Sequence, residues 1–272
     1  MTEICALASG SNGNCYYIGN EKEAVLIDAG IAARRIINRM KERNLDPLKV
    51  KAIFISHEHS DHICGARVLG KRLKVPVYVT SRTFAATYSA HRPAAPIFFK
   101  PGNIIGTGSF IVHPFLKSHD AAEPCSFRIE HEGLNIGIMT DIGAPCESVK
   151  SHLGKCDALF LETNYDERML WEGHYPWPLK KRIASDHGHL SNDQALNLIR
   201  DYCGKNLQVI FLSHLSAENN TLEKVTGCFS AIEGKIKIQL TSRHEACEVF
   251  KLDNYRTKDS EYQGKLNLFP EE

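Results

Sequence analysis

The sequence predicts an α/β fold in which helices cover the faces of mixed sheets, and three observations carry that prediction. Short apolar, β-branched runs bounded by turn residues recur along the 272 residues. Amphipathic helical patterns lie between several of them. The alternation occurs in both halves, with a stretch of consecutive strands between, which suits sheets whose faces are packed by helices.

In chain order, "YYIG" and "AVLID" read as strands. "AARRIINRMKER" follows as a helix with Ile36, Ile37 and Met40 on one face and its arginines on another. "KAIFIS" and "VPVYVT" are strands, with "ICGARVLGKRL" and "TFAATYSA" as helices beside them. From Thr107 to Met139 the runs "SFIVHPF", "CSFRIEH" and "LNIGIMTD" read as consecutive strands, with "EHEGLN" as a hairpin turn. "ALFLE", "LQVIFLSH", "KIKIQL" and "ACEVFKL" complete the strands. "LSNDQALNLIRDYC" reads as a helix capped by Ser191 or Asn192 and ended by Gly204. The polar tail, residues 254–272, is expected to fray. No repeat or linker divides the chain, so one domain over residues 1–272, or two similar halves fused, is expected.

Composition narrows the function. A hydrophobic content of 43% supports a large core, and a net charge of +1 neither steers toward nor excludes polyanions. Nine cysteines without a C-x-x-C pair argue against a disulfide framework, a zinc ribbon or a redox motif, and read as reduced thiols. "MTEICALASGSNGNC" lacks the regions of a secretory signal, and no apolar run reaches membrane-spanning length. A soluble, cytoplasmic chain with no membrane partner is expected. The sequence carries no signature of oligomeric state.

The chemistry is concentrated where strands end. "AVLID" delivers Asp28, "KAIFIS" His57, "IGIMTD" Asp141, "ALFLE" Glu162 and "VIFLSH" His214. Ligands of α/β sheets sit outside one end of the strands, so five such deliveries point to one shared site. In "FISHEHSDHICG", His57 and His59 point the same way in an extended loop and can grip one metal ion. Asp61 and His62 can reach a second, and an aspartate such as Asp141 can bridge the two. His119 and His214 would complete the shells. Imidazole and carboxylate donors suit zinc, manganese or iron, and a dinuclear site makes hydroxide available at neutral pH. A lone histidine is usually just solvated, and His91, His131, His152 and His244 have no such context.

"HEHSDH" resembles the H-x-H-x-D-H signature of the metallo-β-lactamase superfamily, and Asp28, the histidine cluster, His119, Asp141 and His214 follow that superfamily's order. The resemblance implies an αβ/βα four-layer sandwich, with two mixed β-sheets flanked by helices. It implies one metal on His57, His59 and His119, another on Asp61, His62 and His214, and Asp141 between them. Asp28 would orient the ligand loop through hydrogen bonds. "LASGSNGNCYYI", "SHDAAEPCSFRI", "LETNYD", "RIASDHGHLSN" and "LSHLSAENN" are similar to the YycJ/WalJ-type exonuclease family. Likeness to transfer-RNA-maturing endonucleases pairs Glu162 with His189, implying His189 as general acid and Glu162 as its orienter. The arm that grips transfer RNA is not evident, 272 residues leave no room for a β-CASP insertion, and Asp141 stands where many class B β-lactamases have cysteine.

The expected function is therefore a dinuclear-metal phosphodiesterase, a 5′-to-3′ DNA exonuclease using metal-activated hydroxide. Its catalytic set is Asp61, His189 and Glu162, its cofactors two divalent ions, and its partner DNA. Two alternatives are a hydrolase of small esters, thioesters, lactones or cyclic phosphodiesters on the same metals, and a non-hydrolytic diiron redox module. Weaker signals remain. "SGSNGN" is a turn or a backbone nest for an anion, with Ser11 and Asn14 as candidate substrate contacts. Asn164, Ser216 and Asn219 are further candidates, the last two alternatively capping the next helix. "HYPWPLKKR" interleaves aromatics with Lys180, Lys181 and Arg182, as nucleic-acid surfaces do, although a solvated helix reads equally well.

Overall fold

The computed structural model describes residues 1–254, so beyond Asn254 the expected frayed tail lies outside the described residues. Fourteen strands are found among the described residues. They are β1 (Thr2–Ala8), β2 (Cys15–Gly19), β3 (Ala24–Ile27), β4 (Val50–Phe54), β5 (Val77–Thr80), β6 (Pro96–Phe99), β7 (Ile105–Thr107), β8 (Phe110–Leu116), β9 (Cys125–His131), β10 (Leu134–Met139), β11 (Ala158–Glu162), β12 (Val209–Ser213), β13 (Lys237–Leu240) and β14 (Phe250–Leu252). The helices are α1 (Ala33–Glu42), α2 (Ser60–Ile63), α3 (Ala66–Leu73), α4 (Ser81–Ala86), α5 (Glu147–Leu153), α6 (Glu167–Glu172), α7 (Trp177–Ile183), α8 (Asn192–Tyr202) and α9 (Leu222–Phe229).

The strands form two seven-stranded sheets, ordered β14-β1-β2-β3-β4-β5-β6 and β13-β12-β11-β10-β9-β8-β7. Each sheet is half antiparallel and half parallel. β3 through β6 run parallel, as do β10 through β13, while β14-β1-β2-β3 and β7-β8-β9-β10 are antiparallel. The parallel halves need crossovers, and that is where the helices fall. Three clusters of buried apolar side chains separate the four layers. One packs α1 and α3 on the first sheet, one fills the space between the sheets, and one packs α5, α8 and α9 on the second. The fold is the four-layer sandwich expected.

Local chemistry explains the elements that matter here. Ile36, Ile37 and Met40 of α1 are buried, each contributing roughly 1.5–3 kcal/mol by leaving water. Its basic residues do not all face solvent, however. Arg39 is buried and donates to the carbonyls of Leu7, Arg243 and His244, while Arg43 donates to Ala246. A guanidinium supplies several donors at once, and these two fasten the segment before β14 against β1. Glu132 and Gly133 turn the β9–β10 hairpin with φ of 50° and 79°, as a two-residue turn requires. Ser191 caps α8 with Gln194 in a reciprocal capping box, and Cys203 rather than Gly204 closes the helix. The strands β1, β6 and β7 had no matching run in the sequence reading.

Candidate metal centre

The parallel strands of both sheets end at one rim, and the titratable residues emerge there. Asp28 follows β3, Asp141 lies two residues beyond β10, Glu162 ends β11 and His214 follows β12. Asp28, Asp141 and His214 adopt φ of 62°, 53° and 57°. Left-handed backbone is uncommon outside glycine and clusters at functional sites.

The loop after β4 carries His57 and His59, and the single turn α2 carries Asp61 and His62. Asp28 organises this loop from behind. Its Oδ1 accepts the Ser56 amide at 2.8 Å, and its Oδ2 accepts the Ser56 hydroxyl at 2.8 Å. The same Oδ2 lies 2.7 Å from His62 Nδ1, so His62 turns Nε2 toward the rim. His119 pairs Nδ1 with the Gly188 carbonyl at 3.0 Å, and His214 pairs Nδ1 with Glu162 Oε1 at 2.9 Å. Each thereby presents Nε2 inward.

The inward atoms form compact groups. One atom each from His57, His59 and His119 lie within 4.8 Å of one another, and the same holds for Asp61, His62 and His214. Asp141 stands between, its Oδ2 3.1 Å from His62 Nε2 and its Oδ1 3.5 Å from His214 Nε2 and 3.9 Å from His119 Nε2. His119 Nε2, His214 Nε2 and Asp141 Oδ2 are buried without a hydrogen-bond partner. Buried polar atoms are normally satisfied, so three orphans facing one another fit a divalent cation that accepts their lone pairs.

The two trios differ in charge. Burial presses the His57 imidazole well below its ordinary range, with His62 and Lys117 adding to the effect. Burial likewise pushes His119 down to about 4. For His62 and His214 burial acts in the same direction, but Asp141 and the neighbouring carboxylates outweigh it. His62 is raised well above its ordinary value and His214 to about 10. Against their own burial, Asp61 and Asp141 are held low by these imidazoles.

Glu162 is fully buried and shared. Its Oε1 lies 2.8 Å from His189 Nδ1 as well as against His214, and its Oε2 accepts the amides of Ile142 at 2.6 Å and Leu190 at 3.2 Å. Burial alone would raise this carboxyl, but His189, then His214, hold it down to about 2. His189 retains a partly open ring, 19% exposed. The sequence reading paired Glu162 with His189 alone; it serves two imidazoles.

The remaining candidates divide. Asn14 is buried, and its Nδ2 lies 3.0 Å from His62 Nε2 and 3.5 Å from Asp61 Oδ2. Of the turn and the nest that "SGSNGN" offered, the hydrogen bonds fit the turn. The Gly10 amide donates to Asn14 Oδ1, the Gly13 amide to the Gly10 carbonyl and the Asn14 amide to the Asp61 carbonyl. The loop staples the first strands to the ligand loop, and a Cβ on Gly30 would sit 1.6 Å from the Asp61 carbonyl oxygen. Ser11 stays exposed on this loop. Asn164 is buried, donating to the His214 carbonyl at 2.8 Å. Ser216 Oγ accepts the amides of Glu218 and Asn219, Asn219 is buried, and Thr221 is the residue that caps α9.

Lys117 escaped the sequence reading. It is buried, donates to the Thr140 carbonyl at 2.7 Å and lies 3.9 Å from Asp141 Oδ2. Its position two residues before His119, as the strand emerges, was the available signal. Of the histidines left without context, His131 sits 2.7 Å from the Thr2 hydroxyl and His152 stacks on Phe115 at 4.0 Å, both away from the rim.

Comparison with known proteins agrees with this arrangement. The family model described as the metallo-beta-lactamase superfamily matches residues 8–214. The chain is 36% identical over 220 residues to the exodeoxyribonuclease YycJ of Bacillus anthracis, covering 80% of this chain and 83% of that one. It is 34% identical over 222 residues to the exodeoxyribonuclease WalJ of Streptococcus pneumoniae, covering 80% and 82%. Among solved structures, the metallo-beta-lactamase fold protein YhfI of Bacillus subtilis superposes with a TM-score of 0.69 at 17% identity, over 91% of this chain and all of that one, and so shares its fold. Matched by that family model over more than half of its length, and by both exodeoxyribonucleases over four-fifths of it, the chain belongs to the metallo-beta-lactamase superfamily, as a metal-dependent hydrolase.

Proposed function

We propose that this hydrolase is a dinuclear phosphodiesterase that degrades DNA from 5′ ends. The observation that carries the reading is the meeting of two ligand trios across Asp141, with the Glu162–His189 pair at their edge. His57, His59 and His119 would hold one ion, Asp61, His62 and His214 the other, with Asp141 between. The mixed nitrogen and oxygen donors, without thiolate, suit zinc or manganese, with iron also accommodated. Bound divalent ions supply Lewis acidity toward a phosphodiester and a lowered pKa for water. Asp28 fixes the tautomer of His62, and Glu162 does the same for His214. His189, anchored through Nδ1, has Nε2 free to give a proton to the departing sugar oxygen. Glu162, ionised and buried, keeps that imidazole oriented. The kinship with two exodeoxyribonucleases supports DNA as the polymer.

The test is a panel of end-labelled DNA and RNA, single-stranded and duplex, given to chelator-stripped protein with zinc or manganese restored. Progressive loss of nucleotides from 5′-labelled DNA is expected. Rapid cleavage of bis-p-nitrophenyl phosphate with DNA left intact would replace this reading with that of a small-substrate hydrolase.

A further inference from the structure

Outside the metal rim, one surface combines exposed aromatic area with positive charge. Trp171 in α6 and Trp177 at the start of α7 are 38% and 58% exposed, and their rings lie 5.3 Å apart, tilted by 50°. Tryptophans that only joined two helices would be buried between them. Lys180, buried, donates its amine to the Trp171 carbonyl at 2.8 Å and so fixes the end of α6 against α7. Lys181 holds its ammonium 5.4 Å from the Trp177 ring centre. No acidic residue occurs between Glu172 and Asp186, and Glu172 is itself paired with Arg168 at 3.0 Å. The platform is therefore aromatic, tied together by the Lys180 hydrogen bond, and cationic on its α7 side.

Its placement relative to the rim is fixed by hydrogen bonds. The far end of α7 is the Ile183 carbonyl, which accepts the amide of His189 at 2.9 Å. Arg182 bonds Asp120 at 2.6 Å, and the Asp120 amide bonds the His187 carbonyl at 3.0 Å, latching the helix to the loop that carries His119. From Trp177 to Ile183 the helix rises about 9 Å, or about two to three nucleotides of a stacked strand.

We propose that Trp171 and Trp177 form a stacking platform for the bases of a single DNA strand that continues from the phosphate held at the metal rim. The inference rests on the nuclease reading above and specifies how its substrate is gripped. The strand is favoured over a protein partner because Lys181 lies over the Trp177 ring and the adjoining site is one for a phosphodiester. Stacking tolerates any base, so the grip is independent of sequence.

Trp171 and Trp177 are the only two tryptophans of the chain, so selectively excited tryptophan fluorescence reports on this platform alone. The experiment titrates metal-free full-length protein, which cannot cleave, with a 5′-phosphorylated thymidine decamer. Tryptophan emission and the anisotropy of a labelled copy of the decamer are followed together. Saturable quenching in step with anisotropy is expected. Trp177→Ala should weaken binding by about 5- to 100-fold, the range carried by stacking on one aromatic. Trp177→Phe should recover most of it, which shows that a loss of folding is not responsible. Tyr88→Ala, an exposed aromatic in another part of the chain, should bind as the wild type does. Binding without quenching, or unchanged affinity in Trp177→Ala, overturns the platform while leaving the nuclease reading intact if metal-loaded protein degrades DNA. A wild-type protein that neither binds the decamer nor degrades DNA overturns both.

Discussion

The two ligand trios on either side of Asp141 are built from similar residues and stand in opposite electrostatic states. His57, His59 and His119 include no carboxylate, and burial keeps His57 and His119 from holding protons. Asp61, His62 and His214 form a buried ionic network in which carboxylates hold imidazoles charged. In the protein without metal, protons on the second trio take the place of a cation. The first trio has no such substitute, because burial holds its His57 and His119 imidazoles neutral. The difference teaches that one pocket is kept in shape by its own charges, while the other offers neutral lone pairs in a preorganised frame.

The largest break in this comparison is Asp61→Ala. Asp61 is the one carboxylate that belongs to the second trio alone, so its removal should abolish that ion and nearly all turnover, a greater loss than any other single change here. Metal content by mass spectrometry should fall from two equivalents to one. Two retained equivalents would mean that Asp61 is no ligand.

Next in size is His189→Ala. Removal of a general acid should lower turnover on DNA by about two to four orders of magnitude with both ions retained. Metal content decides the role. Asp141, Glu162, His189 and His214 also place ligand atoms within 4.8 Å of one another, so loss of an ion would move His189 into the ligand set.

Asp28→Asn sharpens the contrast more gently. Exchanging the carboxylate behind a ligand histidine lowers metal affinity by about 10- to 100-fold. The effect should fall chiefly on the second trio, because Asp28 touches His62 directly but reaches His57 only through the Ser56 hydroxyl, 2.9 Å from His57 Nδ1. Competition with a chromophoric chelator should resolve the two affinities. Equal weakening of both would show that Ser56 couples the pockets into one.

What the sequence disclosed, and what it hid, follows from the same physics. Metal-ligand chemistry is dense and ordered, so "HEHSDH" and the strand-end residues Asp28, Asp141, Glu162 and His214 were legible one by one. The sheets were legible where β-branched residues repeat, as in "AVLID" and "VIFLSH". β1 was not, because "TEICALA" holds only two β-branched residues, Thr2 and Ile4, and it is a strand by virtue of its neighbours β2 and β14. Lys117 and Arg39 were missed or misplaced for a related reason. A charged residue is ordinarily solvated, and only the assembled fold supplies the Thr140 and Leu7 carbonyls that make burial tolerable. The glycines of "SGSNGN" left a turn and an anion nest both open, because their purpose depends on the Asp61 loop, which is distant in sequence.

The last test changes no residue and probes the comparison most directly. A metal ion needs neutral imidazole nitrogen, so any proton already there must leave. Carboxylates raise His62 and His214 above their ordinary values, whereas burial lowers His57 and His119 below theirs. Filling the second trio should release up to two protons, and filling the first close to none. The sign follows: affinity at the second trio should fall as pH drops from 8 to 6, by about tenfold per released proton per pH unit. Affinity through His57 and His119 should stay flat over that window. Calorimetric titration of stripped protein with zinc, repeated in two buffers of different ionisation enthalpy, counts the protons released with each equivalent. Equal release for both equivalents would erase the distinction between the trios, because a proton cannot hold one pocket closed if it leaves both alike.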